Sequence, residues 1–370
     1  MMQVTKNYVV KDYNTMGEKE FTSYVLGIDI GGTNTNLGVA GIKNKRPTLM
    51  FSLNFKSQEL PSLVPAIKDA LNYAKDKHNV EIKNACIGAA GVVSSNKDYA
   101  ELTHVKWNVN TKEILNETTL NSAFIINDFQ AIGYGINLLN YNNKEDIFLV
   151  KAGKTNTESP KETKAIIGAG TGLGKSILAY DEHAEAYIPI PSEGGHSDFP
   201  AQDDFEIQLL NFIKKLRNIS QPITYEELLS GRGIESIYSF LKEISQTKEN
   251  KYTKEIENAT DKAALISKYR TEDKICGETF CLFARYYGRC AKNFVLDTMA
   301  TGGLFIAGGI ATKNKEIFKT KEFLDEFENA HQRKDLLNQT PIYVITNYDV
   351  SIYGACFAAM HNILDRRETI

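Results

Sequence analysis

The sequence predicts an α/β protein built from two related domains. Three observations carry that expectation. At 370 residues the chain exceeds what one hydrophobic core usually serves. The order strand meander, helix, strand, helix occurs twice, the second time with a larger helical insertion. Two strands run into glycine-rich turns, in "GIDIGGTNTNLGV" and in "IIGAGTGLGKSIL".

The first copy starts at Tyr24–Ile30, a β-rich apolar run that ends in glycines. "NLGVAGI" and "LMFSLNF" follow closely enough for an antiparallel meander. From Ser62 to Lys77, Leu63, Val64, Ile67, Ala70, Leu71 and Ala74 recur at helical spacing. Ala85–Gly91 and Ala123–Asp128 read as buried strands, and "FQAIGYGINLL" as a helix. The second copy opens near Ile147 with "IFLVKAG", "AIIGAG", "SILAY" and "AYIPI" as strands. Asp204 to about Met299 reads as mainly helical, and Asp273–Met299, apolar on most sides, as a buried central helix. "GGLFIAGGI" and "PIYVIT" are the last strands, and "SIYGACFAAMHNIL" the last helix. The first 23 residues read as a polar lead-in without the apolar stretch of a secretory signal. "GKTNTESPKETK" and "SQTKENKYTKE" read as surface loops.

Composition narrows the partners. With 43 Lys and Arg against 46 Asp and Glu, the net charge is −3, which predicts no pull toward nucleic acid or an anionic membrane. No apolar run approaches membrane-spanning length. Cys86, Cys276, Cys281, Cys290 and Cys356 form no CxxC pair; reduced thiols in a cytoplasmic protein are the expectation, with no structural zinc.

Two glycine turns invite a phosphate reading. In the first, a strand delivers Asp29 to Gly31 and Gly32, followed by Thr33 and Asn34. Glycines let backbone N–H groups approach an anion closely, and Asp29 at the strand end can hold a hydrated Mg²⁺ riding on phosphates. In the second, Ala169–Ser176 fits a relaxed Walker A pattern. A Walker A loop should open a long helix, yet "KSILAYDEHAEAYIPIP" reads as strand, turn, strand, with Pro189 and Pro191 blocking a helix. A hairpin turn over Gly168–Gly174 paired with the turn at Asp29 fits better. Lys175 behind it is expected to face solvent on a strand, with a reach to a phosphate oxygen as the alternative. "IINDF" ends a buried strand with Asn127 and Asp128; Asp128 suits either a general base or an Asx cap on the next helix. "PSEGGHSDF" adds Glu193 and His196, an acceptor and a donor suited to a polyol. Glu226 in "YEELLSG" reads by itself as a solvated helix face.

Taken in order, "DIGGTN", "CIGAAG", "IINDF", "GAGTGLG", "EGGH", "EELLSG", "LFIAGGI" and "SIYGACFAA" resemble the bacterial-type glucokinases of the hexokinase, actin and heat-shock-chaperone superfamily. The resemblance covers nearly the whole chain after the lead-in. It implies two ribonuclease-H-like (actin-like ATPase) domains with a ligand cleft between them. The small domain would hold residues 24–126 plus 354–370, and the large domain 127–353. It implies ATP-dependent phosphorylation of glucose at the 6-hydroxyl, with Asp128 as general base. Asn127, Asp128, Glu193, His196 and Glu226 would bind the sugar. Ile28, Asp29, Ile30, Gly31, Gly32, Thr33, Asn34, Gly170, Thr171, Gly172, Gly308 and Gly309 would hold the nucleotide. Mg²⁺ would come with ATP, Asp29 touching it through water, with no tightly bound protein metal. A homodimer is the family expectation. The chain departs from the family at "LTHVKW", where an Asn is commoner before the Trp, and at Lys175, where an apolar residue is commoner. A cysteine-rich zinc block like that of the related repressor–kinase sugar kinases is replaced by "SDFPAQDD". Alternatives are a kinase for mannose or an N-acetylhexosamine, a sugar-sensing regulator, and a filament or chaperone ATPase. The regulator would need a DNA-binding module, for which 23 residues are too few.

Overall fold

The computed structural model describes residues 7–13, 21–103, 105–153, 161–245 and 250–368, with side chains described to 363. Parts of the lead-in and of both expected surface loops, and His104, lie outside the described residues. The chain divides into two compact units, Met1–Asn140 with Asp181–Pro191 and Asn347–Ile370, and Tyr141–Tyr180 with Ser192–Thr346. Asn127 and Asp128 therefore group with the first unit, whereas the sequence reading put its boundary just before them.

Continuous apolar runs, buried on both faces, make the central strands of the first sheet. Its strands are β1 (Tyr8–Asp12), β2 (Ser23–Ile30), β3 (Asn34–Lys43), β4 (Arg46–Lys56) and β5 (Asn84–Ala89). A small antiparallel sheet follows, β6 (Gly91–Val93), β7 (Tyr99–Leu102) and β8 (Val109–Asn110), and then β9 (Ser122–Asn127). The large sheet has the order β1-β4-β3-β2-β5-β9. β1 corrects the sequence reading: residues 8–12 of the lead-in form an edge strand, Tyr8 opposite Phe55, with Tyr8 and Val10 packed on the core. A polar lead-in hides such a strand because only one face of an edge strand needs apolar residues.

β2, β5 and β9 are parallel, with Ile30 opposite Ala89 and Ala89 opposite Asn127. Their carboxyl ends thus align at one sheet edge, the usual ligand side of an α/β sheet. Helix α1 (Leu63–His78) packs on one face through Leu63, Val64, Ala66, Ile67, Ala70 and Ala74. The C-terminal helix, Val350–Glu368, covers the other face with Ile352, Ala355, Cys356 and Ala359. It comes close because Gly27 has no side chain: a Cβ there would lie 2.6 Å from the Cys356 N and Sγ. α2 (Thr111–Glu117) and α3 (Asp128–Gly135) complete this part, α3 continuing directly from β9.

The second sheet contains β10 (Ile147–Lys151), β11 (Lys164–Ala169), β12 (Leu173–Asp181), β13 (Ala186–Ser192), β14 (Leu304–Ala307) and β15 (Ile342–Ile345), in the order β10-β15-β14-β11-β12-β13. β11 and β12 form a tight antiparallel hairpin, while β11, β14 and β15 run parallel. The helical insertion comprises α4 (Asp204–Arg217), α5 (Gly231–Ser245), α6 (Lys251–Glu257), α7 (Lys262–Lys268) and α8 (Lys274–Thr298). α8 is the expected central helix, buried through Phe283, Tyr286, Tyr287, Cys290, Phe294 and Val295 among others. It also buries a charge network. The Arg289 guanidinium holds Glu206 at 2.7 and 2.9 Å and Glu326 at 2.9 Å. Short helices α9 (Gly309–Lys313), α10 (Lys321–Glu328) and α11 (Lys334–Gln339) close the chain's second half. Among the described residues no helix is long and apolar enough to cross a membrane.

Candidate functional site

The first glycine turn connects β2 to β3. Ile28 and Ile30 are buried in the core, so they offer the site only backbone. All three carbonyls of the turn are tied back. Ser57 Oγ donates to Gly31 O at 2.6 Å, Gln58 Nε2 to Gly32 O at 3.0 Å, and the Ser57 N–H to Thr33 O at 3.0 Å. Since the Ser57 hydroxyl proton goes to Gly31, its oxygen accepts from Thr35 Oγ1 at 2.9 Å. Trp107 Nε1 donates to Ser57 O at 3.1 Å and locks the brace. Lys56 Nζ donates to Asn34 Oδ1 at 3.0 Å. Ser57 and Gln58 carry no motif, and sequence reasoning missed them; Trp107 was noted only within "LTHVKW", without this role.

Asp29 stands beside this turn, opposite Asn36 on β3. Burial pushes its carboxyl above the usual carboxylate range, and hydrogen bonds from Ser351 and Asn36 offset this in part. A cation next to Asp29 would favour its charged form. Among the described residues no group of three or more His, Cys, Asp and Glu is placed to hold a metal ion. One carboxylate fits a hydrated Mg²⁺ that takes its other oxygens from phosphates and water.

At the edge of the same sheet, β9 hands over to α3. Asn127 is the helix N-cap: its Oδ1 accepts from the Phe129 N–H at 2.8 Å, and Gln130 Oε1 reaches back to the Asn127 N–H at 3.2 Å. The capping role weighed for Asp128 therefore falls mainly to its neighbour. Asp128 is the first helical residue, partly buried, with Oδ1 3.0 Å from the Phe129 N–H.

The second glycine turn joins β11 to β12. Gly170 N–H donates to Gly172 O at 2.8 Å, closing the turn, and Gly231 N–H donates to Gly170 O at 2.9 Å. Thr171 at the tip is exposed. Beyond the hairpin the chain continues as strand, so the Walker-like letters open no helix. Glu226 Oε2 accepts the Leu173 N–H at 3.0 Å, and its Oε1 accepts from Arg232 at 3.1 Å. A Cβ at Gly172 would lie 2.5 Å from Glu226 Oε2, so glycine is needed there for the carboxylate to come in. Gly308, at φ +93°, ends β14 beside this turn; a Cβ on it would sit 2.8 Å from Ala169 O. At Gly170 and Gly309 a Cβ would meet nothing within 4 Å, so their backbone borders open space.

Glu193 and His196 flank the short turn Gly194–His196, with both side chains exposed and His196 Nε2 3.7 Å from Glu193 Oε2. Gly195 lays this turn on the start of β12, where a Cβ would come 1.9 Å from Leu173 O. Thus the second unit brings Glu193, His196, Glu226, Gly170–Gly172, Gly308 and Gly309 together. Lys175 overturns its expectation: it is buried, at 5% exposure, with Nζ over the Phe294 and Tyr225 rings. Its side chain lies on the inward face of β12 with Leu173, toward α8.

A family model described as glucokinase matches residues 26–362. The chain belongs to the glucokinase family. Glucokinases of Trichormus variabilis and of a Nostoc species are 35% and 34% identical to it, each over 90% of this chain and 98% of the relative. The crystal structure of a glucokinase from an Antarctic psychrotroph superposes with TM-score 0.75 and 25% identity, over 92% of this chain and 99% of that one. The glucokinase of Balamuthia mandrillaris, solved in complex with glucose, shares the fold with TM-score 0.75 and 22% identity, over 91% and 93% of the two chains. The chain is a sugar kinase of the hexokinase type with the actin-like two-domain fold of these glucokinases.

Proposed function

We propose that this glucokinase-family chain transfers the γ-phosphoryl group of ATP to the 6-hydroxyl of glucose. Asp128 takes the hydroxyl proton as the new O–P bond forms, and ADP leaves with the electrons of the broken P–O bond. Asn127, Glu193, His196 and Glu226 hydrogen-bond the sugar, Asn127 through the amide nitrogen that its cap leaves over. Backbone N–H groups of the Asp29–Asn34 and Gly170–Gly172 turns meet phosphate oxygens, and Gly308 and Gly309 border the adenosine. Magnesium arriving with ATP would supply charge neutralisation on the phosphates, and Asp29 is the residue that would hold it, through water. The observation that carries this reading is the Glu226–Leu173 hydrogen bond at 3.0 Å, which ties a sugar-recognising carboxylate to a phosphate turn. A homodimer in the cytoplasm, with no nucleic acid or membrane partner, completes the proposal on the strength of family resemblance; light scattering of the purified protein tests the dimer.

The testing experiment is a matrix of sugars (glucose, mannose, N-acetylhexosamines, fructose) against donors (ATP, ADP, polyphosphate), read by sugar-phosphate formation. Glucose with ATP is expected to give the highest kcat/KM. A larger value for another sugar, or ATP hydrolysis without sugar, would overturn the reading.

A further inference from the structure

Lys175 is a buried charge for which the proposed mechanism has no use. Its Nζ lies 4.9 Å from the Phe294 ring centre and 5.4 Å from that of Tyr225. It hydrogen-bonds the Cys290 thiol, and its charge opposes the burial that pushes that thiol up to about 11. It has no carboxylate partner among the described residues. The stem passes directly beneath the turn that follows Glu193. A Cβ on Gly194 would lie 3.1 Å from Lys175 Cδ and 3.5 Å from Nζ. On the other side, the ammonium faces the ring of Tyr225, the residue before Glu226. That ring is held in place by Asn293 Nδ2 donating to its hydroxyl at 2.8 Å.

The Lys175 side chain therefore lies against both turns that carry the second unit's proposed sugar-binding side chains. Burying an ammonium without a carboxylate is costly, and two aromatic faces offset the cost only in part. A methionine of similar length would fill the same space without the charge. A charge kept at such a cost serves something other than stability.

We propose that Lys175 is a positioning residue of the sugar subsite, its ammonium holding the Glu193–His196 turn and the Tyr225–Glu226 turn against β12 in the arrangement that receives glucose. This rests on the assignment of Glu193, His196 and Glu226 to the sugar. Lys175 touches no reacting atom; it acts through the turns above it.

The test is Lys175→Met in steady-state kinetics and thermal unfolding, with the wild type alongside. The glucose KM is expected to rise by about tenfold, the scale of a displaced positioning group. The ATP KM should rise clearly less than the glucose KM, since only one of the two turns that Lys175 holds also braces a phosphate turn, through Glu226 and Leu173. The Tm should hold or rise, because an unpaired buried charge has gone. Gly194→Ala supplies a second route. Its methyl presses on the Lys175 stem and should raise the glucose KM too, and Lys175→Ala in the same chain should relieve the added part. A glucose KM within twofold of wild type in both single variants overturns the proposal, as does an equal rise of both KM values with a lowered Tm, which marks a merely structural lysine. A wild type without activity on glucose overturns the function reading instead, and is visible before any variant is made.

Discussion

The turn at Gly31–Thr33 is braced by neutral groups, whereas the turn at Gly170–Gly172 is braced by an ion pair. In the first, Ser57 and Gln58 tie down three consecutive carbonyls, and Trp107 in turn holds Ser57 O. Ser57 is fully buried, Gln58 is exposed, and both are neutral, so neither salt nor pH acts on this brace directly. In the second, Glu226 accepts the Leu173 N–H while Arg232, half exposed, holds its other oxygen. The two turns have the same glycine-rich appearance in sequence, yet the second couples its geometry to a carboxylate that also belongs to the proposed sugar site. In the proposed site the first turn would be a fixed platform, and the second would be joined to sugar recognition through Glu226.

Four substitutions break or sharpen that contrast. Asp128→Asn lies outside both braces and sets the scale: turnover should fall by about two to four decades, with glucose still raising the melting temperature and the fold intact. Near-normal turnover would remove Asp128 from the base role. Glu226→Ala should come next, because it leaves the Leu173 N–H without its partner and removes a sugar contact together. Both the ATP and glucose KM should rise, kcat/KM falling by about 10- to 100-fold. A change confined to one substrate would show that the second turn is not coupled to the sugar. Ser57→Ala should raise the ATP KM by roughly five- to tenfold, with glucose KM unchanged, and the single Trp107 should report the loosened brace as a shift in emission. The smallest effect is expected at Asp29. Its carboxyl is raised in the folded protein, so its contribution to stability is greatest below the ordinary carboxylate value near 4 and is lost as pH rises through the raised value. At pH 7 the charged form is a net cost. Asp29→Asn should therefore hold or slightly raise the Tm at pH 7, by a degree or two at most on the scale of about 2–4 °C per kcal/mol, while weakening Mg·ATP. A lower Tm at pH 7 would show that the Ser351 and Asn36 hydrogen bonds outweigh burial.

A pH 7 salt titration separates the two braces more gently. Arg232→Ala removes an exposed partner and should cost no more than about 1 kcal/mol of stability. Its effect on kinetics should fade as salt rises, since salt screens the same pair in the wild type.

The reach of sequence reasoning is clearest at particular residues. β2 and β11 were legible because apolar runs stop at glycines, and α8 because it is apolar on most sides over seven turns. The strand β1 was not, since Val9 and Lys11 face solvent and leave too few apolar residues for a pattern. Asn127 and Asp128 were both visible as a strand-end pair, but which of them capped α3 depended on one backbone conformation, Asn127 at φ −65° and ψ 152°. Lys175 misled because lysine is mostly exposed. Its position after a strand says nothing about the Phe294 and Tyr225 rings that come to it from 119 and 50 residues further along the chain.

The amino-acid order alone determined the main core strands, helices α1, α3 and α8, the C-terminal helix, the two glycine turns and the family, because each rests on local periodicity or on short runs of residues. Only the tertiary structure decided that Ser57 holds a turn 26 residues before it, that Glu226 meets Leu173 across 53 residues, and that Lys175 is buried. Those contacts join chain segments whose approach is set by how helices pack on sheets, and no local pattern encodes that approach.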